Sequence, residues 1–143
     1  MPFLSQESLH ELCAIRMDIH AHPEAVFEEK RTAALVADFL RKNGVDEVYE
    51  NIGQYGVVGI INGKTPGKSI ALRADMDALP MQEIPPEKEA REYSSKTDGR
   101  FHGCGHDGHT VMLLGAAKYL AAHREFSGRV VLIFQPGEES LAG

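Results

Sequence analysis

The chain has 143 residues, of which 43% are hydrophobic and 25% are charged, so it is long enough for one α/β domain with a buried core. Its formal net charge of -6 and the scattering of its lysines and arginines among acids argue against nucleic-acid binding, and we expect no nucleic-acid or membrane partner. Because we find neither an apolar run of about 18 residues nor a basic leader before such a run, we expect a cytoplasmic location.

Two helices are predicted at the start of the chain. Residues 6–20 place apolar side chains at helical spacing, and Ser5 is a suitable N-cap. The step from His22 to Pro23 ends this helix, because a residue before proline avoids the helical conformation. A second helix is predicted over residues 28–42, with Asn43-Gly44 as its stop.

The remaining elements follow in alternation. Residues 57–61 and 69–74 predict a pair of antiparallel strands joined by a glycine-rich turn. Residues 81–100 are polar and contain prolines, which predicts a long surface loop of the kind that often covers a site. An alanine-rich helix is predicted over residues 110–124 and a buried strand over residues 129–134. This order predicts a single α/β sandwich.

The two cysteines and two of the histidines are assigned from their neighbourhoods. Cys13 lies on the first predicted helix and Cys104 lies between glycines in a histidine-rich loop. In a reducing compartment we expect a core residue and a functional thiolate, respectively, rather than a disulfide. His20 and His22 are expected to pack or cap near the end of the first helix.

The most informative segment spans residues 102–109. Three histidines, one cysteine and one aspartate fall within these eight residues, interleaved with three glycines. A thiolate and an imidazole form a typical ligand set for zinc. The alternative is a polar turn that caps the next helix, with Asp107 or Thr110 at the N-cap, and capping can coexist with metal binding.

Acidic pairs follow two of the predicted strands. The adjacent carboxylates of Glu138 and Glu139 repel each other unless a positive charge lies nearby, and a metal ion resolves that conflict. One of them can bind the ion while the other acts as a general base, although an exposed acidic turn that opens a helix is the alternative. Asp75 and Asp77 would point the same way in an extended chain, so one of them can orient a ligand histidine, and an Asx turn is equally consistent.

Taken together, these segments resemble the hippurate hydrolase and aminoacylase branch of the dinuclear zinc-peptidase superfamily, which also includes plant auxin-conjugate hydrolases. Four landmarks carry the resemblance, at residues 16–24, 73–80, 104–110 and 135–139. The likeness spans nearly the whole chain. It implies a zinc-peptidase-like α/β/α sandwich with a mixed sheet.

The resemblance also implies a role for each matching residue. Cys104, His106 and Glu139 are similar to metal ligands, and Cys104 takes the place where related peptidases have a bridging aspartate. Glu138 is similar to the general base of the family, and Asp77 to the acid that orients a ligand. Two divalent ions, Zn²⁺ or Mn²⁺, and a small-molecule N-acyl amino acid as substrate follow from the same resemblance.

Several positions stay unassigned. Asp75 lies where related peptidases have a metal-binding histidine, and the motif does not make His102 or His109 a ligand. Members of this branch continue well past Gly143, with further ligand histidines and a lid domain often used for dimerisation. Residues 1–143 are therefore expected to be the N-terminal part of a metal-binding catalytic domain, inactive by itself, within a full-length protein that can form a homodimer.

Two other functions stay open. One is a di- or exopeptidase of the same superfamily that acts on a free peptide terminus, although Cys104 favours the acyl-amino-acid branch. The other is a non-catalytic, truncated metal-binding module. In that case the sheet would end at the strand over residues 129–134 and would leave an apolar surface.

Overall fold

A computed structural model of the chain describes residues 3–84 and 91–140. These residues form the elements α1 (Gln6–Ala21), α2 (Lys30–Lys42), β1 (Glu47–Ile52), β2 (Gly56–Asn62), β3 (Thr65–Asp75), α3 (His106–Ala122), β4 (Ser127–Gln135) and a short 3₁₀ turn (Glu138–Ser140). The three predicted helices and three predicted strands are confirmed. The predicted loop is also confirmed where it is described, because residues 81–84 and 91–100 contain no helix or strand, and residues 85–90 lie outside the described part.

The first helix begins and ends where its sequence predicts. The side-chain oxygen of Ser5 accepts the backbone N–H of Ser8 at 3.1 Å, which makes Ser5 the N-cap. The helix ends at Ala21, directly before His22 and Pro23. The third helix begins at His106, four residues earlier than predicted, and Gly105 before it has φ +81°, a conformation that glycine adopts readily. The alternative interpretation, with Asp107 or Thr110 as the N-cap, is therefore wrong.

The four described strands form one mixed sheet in the order β1-β2-β4-β3. β4 pairs with β2 in antiparallel and with β3 in parallel orientation, so the predicted direct pairing of β2 with β3 is wrong. The turn between them crosses the start of β4, where Gly63 N–H donates to the carbonyl of Gly128 at 2.8 Å. β4 is thus an inner strand rather than the edge expected from the sequence. The edges are β1, which was not predicted, and β3.

The hydrophobic core lies on one face of this sheet. Alternate strand residues are buried there and join side chains from all three helices; they include Val57, Ile61, Val130, Leu132 and Phe134. On the opposite face Val58, Ile60, Val131 and Ile133 stay half-exposed. The α/β class and the mixed sheet are confirmed, and the described residues supply two of the three predicted layers.

The length of the helices and the exposure of the two cysteines are two further features of the fold. None of the described helices is both long and apolar enough to cross a membrane. Cys13 and Cys104 are both free and exposed, in agreement with the prediction that they do not form a disulfide. The expectation that Cys13 belongs to the core is wrong, because α1 turns Leu12 and Ile19 inward and Cys13 outward.

Arg124 joins three parts of the chain after α3. Its Nε donates to the carbonyl of Ala121 at 2.9 Å, and its Nη2 donates to the carbonyl of Gly44 at 2.7 Å. Its Nη1 lies 2.7 Å from a carboxylate oxygen of Asp46 and 3.2 Å from the carbonyl of Asn62. One side chain thus connects the end of α3, the turn after α2 and the end of β2.

Replacing Arg124 with methionine is expected to lower the free energy of unfolding by about 1–3 kcal/mol, because several acceptors lose their partner together. Urea unfolding followed by circular dichroism measures this change. Lys64→Met is the matched control, since Lys64 pairs with Glu125 on the surface and such exposed pairs contribute little. Equal losses in the two variants would contradict the role given to Arg124.

Candidate metal centre

The carboxyl ends of β3 and β4 lie side by side in the sheet. The two strands are parallel, and the last pair in their register joins Asp75 to Gln135. The loops after both strands therefore leave the same edge of the sheet, where α/β enzymes place functional groups. The first loop carries Asp77, whose Oδ2 accepts the backbone N–H of Glu139 from the second loop at 2.9 Å.

His106 lies at the centre of this edge and is 5% exposed. Its Nδ1 lies 2.9 Å from the backbone carbonyl of Asp77, which can only accept, so in the neutral ring Nδ1 carries the proton and Nε2 keeps its lone pair. Carboxylate oxygens surround Nε2 at 3.7 Å (Asp75), 3.8 Å (Glu139) and 4.0 Å (Glu138). Metal-binding histidines are commonly oriented in this way, with one nitrogen bound to a protein acceptor and the other free.

Asp77 is buried between the two loops. Its Oδ1 lies 3.3 Å from Nδ1 of His106, in addition to the contact of Oδ2 with Glu139. Burial by itself raises the pKa of Asp77, but the His106 ring and the Glu139 N–H outweigh burial and lower this pKa below its usual value. The Asp77 carboxylate in turn raises the pKa of His106, against the opposing effect of burial. Asp77 therefore touches both His106 and the backbone of Glu139.

Two groups of three potential ligand atoms meet at this edge, and the atoms within each group lie within 4.8 Å of one another. The first group is Cys104, His106 and Glu139, the set expected from the sequence. The second group is Asp75, His106 and His109. Since both groups use His106 and its Nδ1 is protonated, a single Nε2 can serve one ion at a time. The groups are therefore alternative positions for one ion rather than two complete sites.

Several acidic side chains lie close to the first group. The neighbouring Glu139 carboxylate raises the pKa of Cys104, and Glu138 and Asp77 act in the same direction. Within the described residues, Oε1 of Glu139 is buried without a hydrogen-bond partner. In the second group Asp75 already forms an ion pair with Arg73, at 2.6 Å. A divalent cation fits the first group better, and its sulfur, nitrogen and oxygen donors suit a borderline ion such as zinc.

A buried network supports the first turn of α3. Asp107 is fully buried, and its Oδ2 lies 2.8 Å from Nε of Arg16 and 2.7 Å from Nδ1 of His20. His102 packs beside His20, and burial lowers the pKa of His102 to about 4, so this ring is neutral near pH 7. The contact between His20 and Asp107 was not predicted from the sequence. The spacing of Arg16 and His20, one helical turn apart, was the available signal.

Known proteins of one peptidase family are similar to most of the chain. Residues 71–143 match the model of peptidase family M20/M25/M40. A hippurate hydrolase of Campylobacter jejuni is 52% identical over 129 residues, which cover 90% of this chain and 32% of that protein. Thermostable carboxypeptidase 1 of Saccharolobus solfataricus is 50% identical over 127 residues, which cover 87% of this chain and 31% of that protein.

A solved structure extends the comparison to the fold. The YXEP protein of Bacillus subtilis, a dinuclear metal-binding peptidase from the M20 family, matches with a TM-score of 0.90 at 37% identity. The match covers 98% of this chain and 38% of that one. The chain spans about a third of the length of the curated relatives that it matches.

Proposed function

The chain belongs to peptidase family M20/M25/M40, and we propose that it carries the metal-binding part of an enzyme that hydrolyses the amide bond of N-acyl amino acids. One observation supports the proposal most strongly. Donor atoms of Cys104, His106 and Glu139 converge within 4.8 Å, and a further carboxylate, that of Glu138, lies 4.0 Å from Nε2 of His106. Ligands for an ion and a separate proton acceptor are therefore next to each other.

Two divalent ions are proposed for the complete site, in keeping with the dinuclear relative. When bound, divalent ions such as Zn²⁺ or Mn²⁺ lower the pKa of water and polarise an amide carbonyl. The set of Cys104, His106 and Glu139 supplies three donors, the number of protein ligands that one catalytic zinc ion usually takes beside its water, so a second ion needs further ligands. We therefore propose that residues 1–143 form the first part of a catalytic domain and do not turn over substrate alone.

Glu138 is proposed as the general base. Its side chain is 36% exposed, whereas the side chain of Glu139 is 17% exposed. The more exposed carboxylate is accessible to water and substrate, and the more buried one is left to bind an ion. Glu138 takes a proton from the attacking water and delivers it to the nitrogen of the leaving amino acid, as general acid–base catalysis requires. Asp77 holds His106 and Glu139 in place for this reaction.

A second candidate function comes from the carboxypeptidase relative, which is 50% identical. It favours an exopeptidase that acts on peptides with a free terminus. A non-catalytic metal-binding module is the third candidate. The three differ in what they do to an acylated and an unblocked substrate of similar size.

The test uses a protein that contains this chain and spans the length of its relatives, called here the full-length protein. Loaded with Zn²⁺ or Mn²⁺, it is expected to hydrolyse benzoyl-glycine with a higher kcat/KM than an unblocked dipeptide that ends in glycine. Chelation is expected to abolish this activity, and added metal to restore it. A higher kcat/KM for the dipeptide would favour the exopeptidase, and hydrolysis of neither substrate with metal bound would favour the non-catalytic module.

A further inference from the structure

Glu29 is a buried acid whose carboxyl does not cap its own helix. It lies directly before α2, and none of its surface is exposed. Glu24 caps this helix instead, because its carboxylate accepts the N–H groups of Arg31 and Thr32, each at 2.8 Å. Burial raises the pKa of Glu29, so the fold keeps an ionisable group in an unfavourable place. The contacts that the carboxyl makes elsewhere account for its position.

The carboxyl of Glu29 binds the turn that precedes the two glutamates of the site. Its Oε1 accepts the N–H of Gly137 at 2.8 Å and the N–H of Phe27 at 3.1 Å. Gly137 has φ +68° and Phe27 has φ +57°, which is an uncommon conformation for a residue with a side chain. The Phe27 ring closes the turn, since a Cβ on Gly137 would lie 2.6 Å from it. One oxygen of Glu29 therefore holds two unusual backbone positions.

The same turn is held again beyond Gly137. The N–H of Glu139 donates to Oδ2 of Asp77, so Glu138 lies between two anchored backbone positions. The segment that contains Glu29 is also attached to the other loop, because Ala78 N–H donates to the carbonyl of Glu24 at 2.8 Å. This segment therefore connects the loops after β3 and β4, which carry the acids of the site.

We propose that Glu29 is a positioning residue for Glu138 and Glu139, because its carboxyl fixes the Gly137 turn that aims both side chains. The consequence for metal binding and catalysis rests on the proposed function, whereas the hydrogen bond to Gly137 does not. The turn requires a side chain long enough to place an acceptor oxygen beside the N–H groups of Gly137 and Phe27. Among the described residues the second oxygen of Glu29, Oε2, has no hydrogen-bond partner, so the contacts do not call for a negative charge.

Two substitutions distinguish the effect of side-chain length at position 29 from the effect of its negative charge. Glu29→Gln keeps the length and one acceptor oxygen but removes the charge, whereas Glu29→Asp keeps the charge and is one methylene shorter. Glu29→Gln is expected to preserve both the slow hydrogen exchange of the Gly137 amide and the affinity for Co²⁺. Glu29→Asp is expected to accelerate that exchange and to weaken Co²⁺ binding by roughly 10- to 100-fold, the usual effect of losing a residue that supports a ligand.

Glu28→Asp is the matched control, since Glu28 is exposed and pairs with Arg100 at the surface. Binding and exchange in this control are expected to equal those of the wild type. In the full-length protein Glu29→Asp is expected to lower kcat with little change in KM, because the aim of the base changes while substrate contacts stay.

Three results would overturn the inference: Glu29→Asp behaving as wild type, Glu29→Gln behaving as Glu29→Asp, or Gly137 exchanging rapidly in the wild type. If Glu29→Asp does not fold by circular dichroism, rapid Gly137 exchange in a folded Glu29→Gln variant overturns the inference, and slow exchange supports it. A wild-type chain that binds no Co²⁺ would defeat the proposed function. The exchange measurements would then decide the role of Glu29 by themselves.

Discussion

Replacing Glu138 with glutamine in the full-length protein is expected to lower kcat by about 10²- to 10⁴-fold, the range typical for the loss of a proton-transferring group. The amide of glutamine has nearly the same shape as the carboxylate but cannot accept the proton from water. Glu138 is the more exposed of the two adjacent glutamates and is not one of the three converging donors. The metal content of this variant is therefore expected to stay close to that of the wild type.

Glu139→Gln is the matched comparison, since it makes the same chemical change one residue further along. Glu139 supplies a donor atom to the group with Cys104 and His106, and its Oε1 is buried. This variant is expected to lose both metal and activity. Steady-state kinetics and metal analysis of the dialysed proteins distinguish the two. Metal loss in Glu138→Gln with full metal in Glu139→Gln would reverse the assignment.

The second large effect is expected from Cys104→Ser, which should weaken binding of Zn²⁺ or Co²⁺ at least roughly 100-fold, because loss of a residue that merely supports a ligand already reaches that size. A serine hydroxyl is neutral near pH 7 and is a poorer donor than a thiolate for these ions. Calorimetric titration of the chain measures the change. Cys13→Ser is the matched control, because Cys13 is the other free and exposed cysteine.

The alternative ligand group predicts the opposite pattern of affinity loss. If the ion were held by Asp75, His106 and His109, His109→Ala would weaken binding strongly and Cys104→Ser would not. We expect His109→Ala to have little effect, since Arg73 already neutralises Asp75. Strong loss of affinity in His109→Ala alone would move the ion to the alternative group.

Local patterns in the sequence were sufficient to predict the helices and the candidate ligands. The limits of α1 follow from Ser5 at its start and from the step between His22 and Pro23 at its end, and each signal lies within one helical turn of the end that it sets. Cys104 and His106 are two residues apart, and Glu138 and Glu139 are adjacent, so their chemistry is visible in short segments. The resemblance to a known family then provided the roles that spacing alone left open.

Contacts between distant residues could not be predicted in the same way. β4 pairs with both β2 and β3 and lies between them, where its apolar side chains join the core. Nothing in the glycine-rich turn between β2 and β3 indicates that a third strand separates them. β1 was missed because its residues are mostly exposed and its sequence, EVYENI, has no regular alternation of apolar and polar side chains. The bond between Glu29 and Gly137 joins residues 108 positions apart, so it depends on the completed fold.

The most direct test of the metal centre is a titration of the chain with Co²⁺, followed by absorption from thiolate-to-cobalt charge transfer. The thiolate of Cys104 is expected to produce a band that rises with added Co²⁺ and saturates. The same band is expected in Cys13→Ser and is expected to be lost in Cys104→Ser. A band that persists unchanged in Cys104→Ser, or a wild-type chain that shows none, would contradict the proposal that Cys104 binds the ion.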